Sequence, residues 1–545
     1  MTSDTKHSAS SKPVRRLMAL LQLERNDLWV AIVFSVAIGV LSLAVPIATQ
    51  SLVNTVAFGS LLQPLFFLVL LVLALLAVSA VLQMIRYHVV EVLQRRVFVR
   101  LASETEHRLL HARVEALRRH NGPELVNRFL DVVTVQKAGA TLLVDGLSII
   151  TQAIVGMALL AVYHPWLLAF DAGLLTALVI VLLPAGWGAV ETSLKESAAK
   201  YALVGWLEEI ARNDRTFRGQ TEARFAVERS DSLVREYLSF RSKHFRIVAR
   251  QFAGSLTLQA FASATLLGVG GMLVIERQLT LGQLVAAELV VTGVLSSIAK
   301  LAKHLETYYD LLAALDKLGS LGDIPGEESG PAELDGLGPA SLRVRGPLHQ
   351  LEVAPGEKVC LKGHSGSGKS TLLDAICGYR ALPEIAVTFD GLDIRALRLG
   401  NFRSQIALVR GVEIFYGSIL DNVLVGRDLT MPQIQSSLEQ VGLWSAVQEL
   451  PGGLATMLNT GGDPLSEGQK QALMIARAIA GRPRLLIIDE TLDGVQDSDD
   501  RDTLSHALFG PATPWTLLLV TARPDLESLC ARTIELTRGG MKEAA

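Results

Sequence analysis

The chain has 545 residues, 50% of them hydrophobic and 19% charged, with a formal net charge of −3. Its mean hydropathy of +0.36 is too high for a soluble enzyme and its length exceeds one ordinary domain, so a lipid-embedded part joined to an aqueous one is expected. Near-neutral charge with no concentrated basic face excludes nucleic acid as a partner; Cys360, Cys377 and Cys530, spaced for neither zinc nor a disulfide framework, indicate reduced thiols in a cytosolic compartment.

Residues 1–12 are polar, lack the apolar core of a signal peptide, and read as a disordered tail. From Pro13 to Leu28 the spacing of Val14, Leu17, Leu20, Leu21 and Leu23, with Arg15, Arg16 and Arg25, suits a helix lying along a membrane face. Six apolar stretches follow at about 29–50, 62–85, 141–163, 166–187, 252–276 and 280–302, each near the roughly 20 residues that span a bilayer. Connectors 51–61, 163–166 and 276–279 are short and nearly uncharged, whereas 86–140 and 188–251 are long and rich in Arg and Lys. The positive-inside tendency puts the long connectors in the cytoplasm and, with an even number of spans, both termini with them. Structureless runs of that length are rare and these keep a helical period, so each is expected to be a helical hairpin, turning near Asn121-Gly122-Pro123 and near Glu208–Gly219.

Asp171 and Glu288 fall inside the fourth and sixth spans. A charge at that depth costs a few kcal/mol, so each must sit near the interface or face water, a partner chain or a cation. Gln283 and Thr292 beside Glu288 favour a cavity-facing stripe, and both acids are candidates for a substrate path. The helix continuing through His304–Leu312 is broken by the Gly/Pro/Glu-rich run Gly322–Gly338. The expected organisation is a tail and interfacial helix at 1–28, a membrane domain at 29–321, a linker at 322–338 and an aqueous domain at 339–545.

The aqueous domain carries Gly363-His364-Ser365-Gly366-Ser367-Gly368-Lys369-Ser370, a complete G-x-x-x-x-G-K-[ST] phosphate loop, between the strand-like run Lys358–Leu361 and the helix-like run Thr371–Ile376. Glycines let successive backbone N–H groups curl round phosphates, Lys369 adds a point charge, and the Ser370 hydroxyl can reach Mg2+. The helix that starts at Thr371 turns its positive end to the anion. Further on, the apolar strand Leu485–Ile488 ends in two acids, Asp489 to hold Mg2+ through water and Glu490 to polarise the water that attacks a phosphoryl group. Upstream of that strand lies Leu465-Ser466-Glu467-Gly468-Gln469, followed by the helical Ala472–Ala480.

In this order and spacing, and after six spans with two long hairpins, these motifs resemble a half-transporter of the ATP-binding-cassette exporters, closest to the subgroup for type I secretion and multidrug or peptide export. The resemblance implies a membrane α fold, six transmembrane helices with long cytoplasmic hairpins, followed by an α/β phosphate-loop NTPase domain. It makes Gly363–Ser370 the Walker A motif, Leu485–Asp489 the Walker B motif, Glu490 the catalytic glutamate, and Leu465–Gln469 the signature that closes over ATP held by another subunit. ATP and Mg2+ follow as cofactors. The implied partners are a second half-transporter, in a homo- or heterodimer, bilayer lipid and a periplasmic adaptor; the implied place is the bacterial inner membrane. Hairpin tips near His120–Asn127 and Glu208–Gly219 are expected to dock on cassettes, the second on the partner's.

The sequence also departs from the family pattern. Arg410 stands where exporters carry a glutamine that senses Mg2+, Ala522 at the switch histidine, Glu467 at the third signature glycine, and Gln496 at the D-loop aspartate, with Asp493 and Asp497 nearby. Ala340–Arg345 offers no aromatic residue to stack on adenine. Slow hydrolysis is expected. Three readings stand: an ATP-driven exporter, a catalytically degenerate half of a heterodimer, and a nucleotide-gated receptor or channel, against which the intact Glu490 argues.

Overall fold

The computed structural model describes residues 4–57, 62–119, 122–347, 350–494, 498–511, 513–537 and 540–543. The chain divides into two units, residues 1–111 with 120–324 and residues 112–119 with 325–545.

In the first unit, long apolar periodicity gives long helices. Among the described residues five helical stretches are long and apolar enough to cross a membrane: Arg25–Asn54, Leu65–His111, Leu125–Tyr163, Pro165–Arg212 and Gln220–Ile275. The sixth apolar stretch lies in the helix Leu281–Gly322, where its described apolar run is the shorter Leu281–Val294. Side chains such as Phe66, Phe67 and Leu73 are more than 60% exposed, an arrangement that is stable only with hydrocarbon as solvent. The long connectors are helical, as their period requires. Leu62–His111 is one helix of 50 residues, while Ala189–Arg212 and Gln220–Ile275 form a hairpin around a turn at 213–219. Trp206 staples that turn: its indole donates to Ser230 Oγ at 3.0 Å, with Phe217 and Phe225 edge-on at 5.6 and 6.2 Å.

Polar groups inside this helical unit are mostly satisfied. Buried Arg86 donates to Ser35 Oγ at 3.0 Å and Ser148 Oγ at 2.6 Å, and the Gln251 amide donates to the Tyr309 hydroxyl at 3.1 Å. Asp171 stands out among the exceptions, 4% exposed with neither carboxyl oxygen partnered among the described residues. Glu288 is half-buried and takes a long bond, 3.5 Å, from the Thr292 hydroxyl. Gln283, expected in the same stripe, is instead the third residue of its helix and closes a capping box with Thr280, its own N–H donating to Thr280 Oγ1 at 3.1 Å. The polar N-terminal stretch, expected as a tail, is helical from Asp4 in the helix Asp4–Leu23; no glycine interrupts it, and Pro13 withdraws one backbone donor without ending it.

The second unit is an α/β domain. Its main sheet has the order Gly540–Glu543, Arg532–Thr537, Lys358–Lys362, Thr516–Val520, Leu485–Asp489, Ile406–Arg410, parallel throughout except at the Gly540–Glu543 edge. Every residue of Leu485–Asp489 and Thr516–Val520 is buried, which is why both read as unbroken apolar runs rather than alternating ones. A second, antiparallel sheet joins Gln350–Val353, Leu342–Arg345, Ala386–Phe389 and Leu392–Asp393. The run after Gly322, read as a linker, is pinned to this domain: Arg403 grips Glu327 through two bonds of 2.6 and 2.9 Å, and Leu334 is buried in the core. All three cysteines are free.

Candidate functional site

The register of the main sheet builds the site. In parallel strands, Arg410 pairs with Asp489 and Asp489 with Val520, so the C-terminal ends of three strands finish side by side, the edge at which open α/β sheets bind ligands. The phosphate loop leaves Lys358–Lys362 at the same edge and enters the helix Lys369–Ile376. Gly363, Gly366 and Gly368 have φ of 156°, 79° and 100°, values open to glycine. At Gly363 space adds a second reason, because a Cβ there would lie 2.4 Å from the Leu536 carbonyl oxygen.

Lys369 Nζ donates to the Gly363 carbonyl at 2.7 Å and stands 3.5 Å from Glu490 Oε1. Ser367 Oγ is buried and has no partner among the described residues, a donor that a phosphate oxygen would satisfy. Exposed His364 and Ser365 form the loop's outer turn, and Ser370 and Thr371 sit in the first turn of the helix. Glu490 follows the buried Asp489 with φ of 56°, a left-handed conformation that a non-glycine residue holds only where its surroundings enforce it. Here its N–H donates to the Val520 carbonyl at 2.9 Å. A cavity of about 360 Å3 is lined by Gly363, His364, Lys369, Glu490, Thr521 and Ala522, among others. The arrangement can hold a polyphosphate on backbone amides and a lysine, with an exposed carboxylate beside it to orient water.

Leu465 is buried beneath the start of the helix Glu467–Ala480, and Ser466 and Gln469 close a capping box on that end. Glu467, the acid in place of a signature glycine, is 80% exposed and paired with Lys470 Nζ at 2.8 Å. Gly468 lies in the same first turn. Gln496 and Asp497 lie outside the described residues. Asp493 takes a structural part that the sequence only hinted at, accepting from the Thr521 hydroxyl and, at 3.0 Å, from the Ala522 N–H, which fixes the loop after Thr516–Val520. Arg523 is bound to Asp525 through two bonds of 3.1 Å and does not enter the cavity in place of the absent histidine.

Two residues of the site went unread in the sequence. Asp374, on the helix after the phosphate loop, is 11% exposed at its side chain and accepts from Arg410 Nη1 at 2.7 Å. Its other oxygen meets Arg118 Nη1 at 3.3 Å. Arg118 lies on the short helix Val114–Arg119, which is attached to this unit by Glu115 with Arg380 at 2.7 Å and by a backbone bridge from Ala112 to Gly326. The residues that dock are therefore 112–119, just ahead of the expected tip; of that tip, His120 and Asn121 lie outside the described residues. The available signal was a basic stretch, Arg113 to Arg119, facing an acid one helical turn past Lys369.

Arg410 closes the arrangement, with Nε 2.5 Å from Asp489 Oδ2 and Nη2 donating to the Ser370 carbonyl at 3.2 Å. Burial works against its charge, but the bonds to Asp374 and Asp489 outweigh it and hold the pKa above the ordinary arginine value. The donors expected for Mg2+, a hydroxyl on Ser370 and a carboxylate on Asp489, are the hard oxygens that cation takes. They fit it, with one resident cation, Arg410, already on Asp489.

Residues 28–298 match the model of the ABC transporter transmembrane region, and residues 349–493 that of the ABC transporter family. An ATP-dependent lipid A-core flippase of Desulfotalea psychrophila is 26% identical over 447 residues, covering 78% of this chain and 77% of that protein. An ABC-type transporter of Aspergillus fumigatus is 34% identical over 180 residues, 32% of this chain but 14% of its own length. Among solved structures, a bacterial Atm1-family ABC exporter with ATP bound superposes with a TM-score of 0.80 over 96% of both chains at 20% identity, which speaks for the fold.

Proposed function

Because this chain belongs to the ABC transporter family and joins that family's transmembrane region and ATP-binding domain in one polypeptide, we propose that it is an exporter half-transporter coupling ATP binding and hydrolysis to outward movement of a substrate. One observation carries the reading. Glu490, held in a left-handed turn at the end of the Asp489 strand, stands 3.5 Å from the phosphate-loop lysine in a cavity sized for a nucleotide's phosphates. A receptor that only binds nucleotide has no use for a strained carboxylate at that place.

In this reading the amides of 363–371 and Lys369 bind and orient the triphosphate, and Glu490 accepts a proton from the attacking water. Mg2+, when bound, would neutralise phosphate charge, with Ser370 and, through water, Asp489 as its donors. The signature Leu465–Gln469 would cover ATP held by a second half-transporter, so the working unit is a dimer, homomeric or heteromeric. The segment 112–119, with its helix Val114–Arg119, would transmit closure of this cassette, and the hairpin end Glu208–Gly219 would reach the partner subunit's. We place the protein in a bacterial inner membrane with both termini cytoplasmic. The flippase matched over most of its length supports an amphiphile as cargo, taken along a path past Glu288 and Asp171. A periplasmic adaptor would be needed only if the cargo leaves the bilayer.

The missing histidine at Ala522 and the guanidinium on Asp489 both support slow turnover. The test is the full chain in lipid nanodiscs: intact-complex mass gives one or two kinds of subunit, and steady-state ATPase activity gives the rate. A parent without ATP hydrolysis, alone and with any partner that copurifies, would remove the pump reading.

A further inference from the structure

The charged groups of the second unit form an alternating row, Arg118, Asp374, Arg410, Asp489, with successive contacts of 3.3, 2.7 and 2.5 Å. Asp374 and Asp489 are buried and Arg410 between them is partly buried, and the last member is the carboxylate expected to hold Mg2+. Arg410 cannot simply drift away from that carboxylate, because it is held from three directions, by Asp489, by Asp374 and by the Ser370 carbonyl. A divalent cation placed at Asp489 would meet a guanidinium already bound there. Like charges a few ångströms apart in a half-buried site repel far more than in water.

We propose that Arg410 is a resident counter-ion at Asp489 whose presence and that of Mg2+ are mutually antagonistic, so that this site takes nucleotide with little help from the metal. The proposal rests on the reading of 363–371 as an ATP site. Two outcomes follow from the geometry. Without Mg2+ the guanidinium stays on Asp489 and supplies positive charge beside the phosphates. With Mg2+ held through water at Asp489, two cations compete for one carboxylate, and part of the metal's binding energy goes into weakening the pair. Coupling of this kind is reciprocal and is read as a ratio of affinities.

The measurement is the affinity of full-length protein in nanodiscs for trinitrophenyl-ATP, once with Mg2+ and once with EDTA. For each protein the ratio Kd(EDTA)/Kd(Mg2+) is the advantage the metal gives. Arg410→Gln removes the charge and should raise that ratio by about tenfold. Arg410→Lys keeps the charge but cannot bridge both carboxylates, and should give an intermediate ratio; if the glutamine variant does not fold, parent against lysine variant decides. A ratio that is unchanged or lower in Arg410→Gln, or equal in the lysine and glutamine variants, overturns the antagonism. A parent that binds no nucleotide under either condition overturns the ATP reading itself, a separate result.

Discussion

On the floor of the candidate nucleotide site lie the phosphate loop, Lys369, Asp489 and Glu490; on its rim Arg410 and Ala522, and on the signature helix that would cover a second subunit's ATP Glu467, depart from the groups the family pattern puts there. The floor is built from three short pieces of chain whose shapes are enforced locally, by left-handed glycines, by a buried strand and by the strained turn at Glu490. The rim is assembled from side chains at the ends of separate elements, and its substitutions are absorbed without disturbing the fold. Glu467 finds Lys470, Arg410 finds two carboxylates, and the backbone of Ala522 is held by Asp493. In the proposed function the floor holds the nucleotide and supplies the base while the rim tunes the rate, so that a chain can keep binding while turnover weakens.

Breaking the floor should have the largest effect. Lys369→Ala removes the phosphate loop's own side-chain charge aimed at the β/γ-phosphates, and ATP-dependent transport in inverted vesicles should fall to background. Transport at the parental rate would mean that the site is not the motor. Next comes Glu490→Gln, which leaves the site's shape but no base for the water. ATPase activity should drop by about 10²–10⁴-fold while trinitrophenyl-ATP binding is retained. Loss of binding alongside activity would show that Glu490 holds the fold rather than the water.

Mending the rim should have a smaller effect of opposite sign. Ala522 is exposed and lines the cavity with Glu490, so a side chain added there projects from an open position. Ala522→His should raise steady-state ATPase activity by on the order of tenfold to a hundredfold, since a single well-placed donor contributes about 10²–10³ in rate. An unaffected or slower variant would show that the vacant position does not limit turnover. The smallest effect is expected at the far end of the charged row. Arg118 is 64% exposed at its side chain, and exposed ion pairs contribute about 0–1 kcal/mol. Arg118→Ala should change the ratio of transport to hydrolysis by only a few-fold, at unchanged nucleotide affinity. A change larger than that of Ala522→His would make the row a principal route of coupling.

Much of this molecule is written locally. The phosphate loop, the acids at the end of Leu485–Asp489, the apolar spans and the helical period of the long connectors each depend on residues within a few turns of one another, where spacing and backbone chemistry decide the outcome. The same locality explains two misreadings. Residues 4–12 read as a tail because polarity says nothing against a helix that continues from an amphipathic one, and Gln283 reads as a lining residue because a polar side chain near Glu288 serves equally as the third residue of a capping box begun by Thr280. What only the tertiary structure decided lies across long separations. Arg410 meets Asp489 across 79 residues because two parallel strands end in register, and Arg118 meets Asp374 across 256 because a short helix docks beside the phosphate-loop helix. No local period encodes such pairings, since they arise from strand order and from the docking of preformed elements; the sequence by itself therefore determined that a nucleotide has a floor to bind on, and the fold decided which charges surround it.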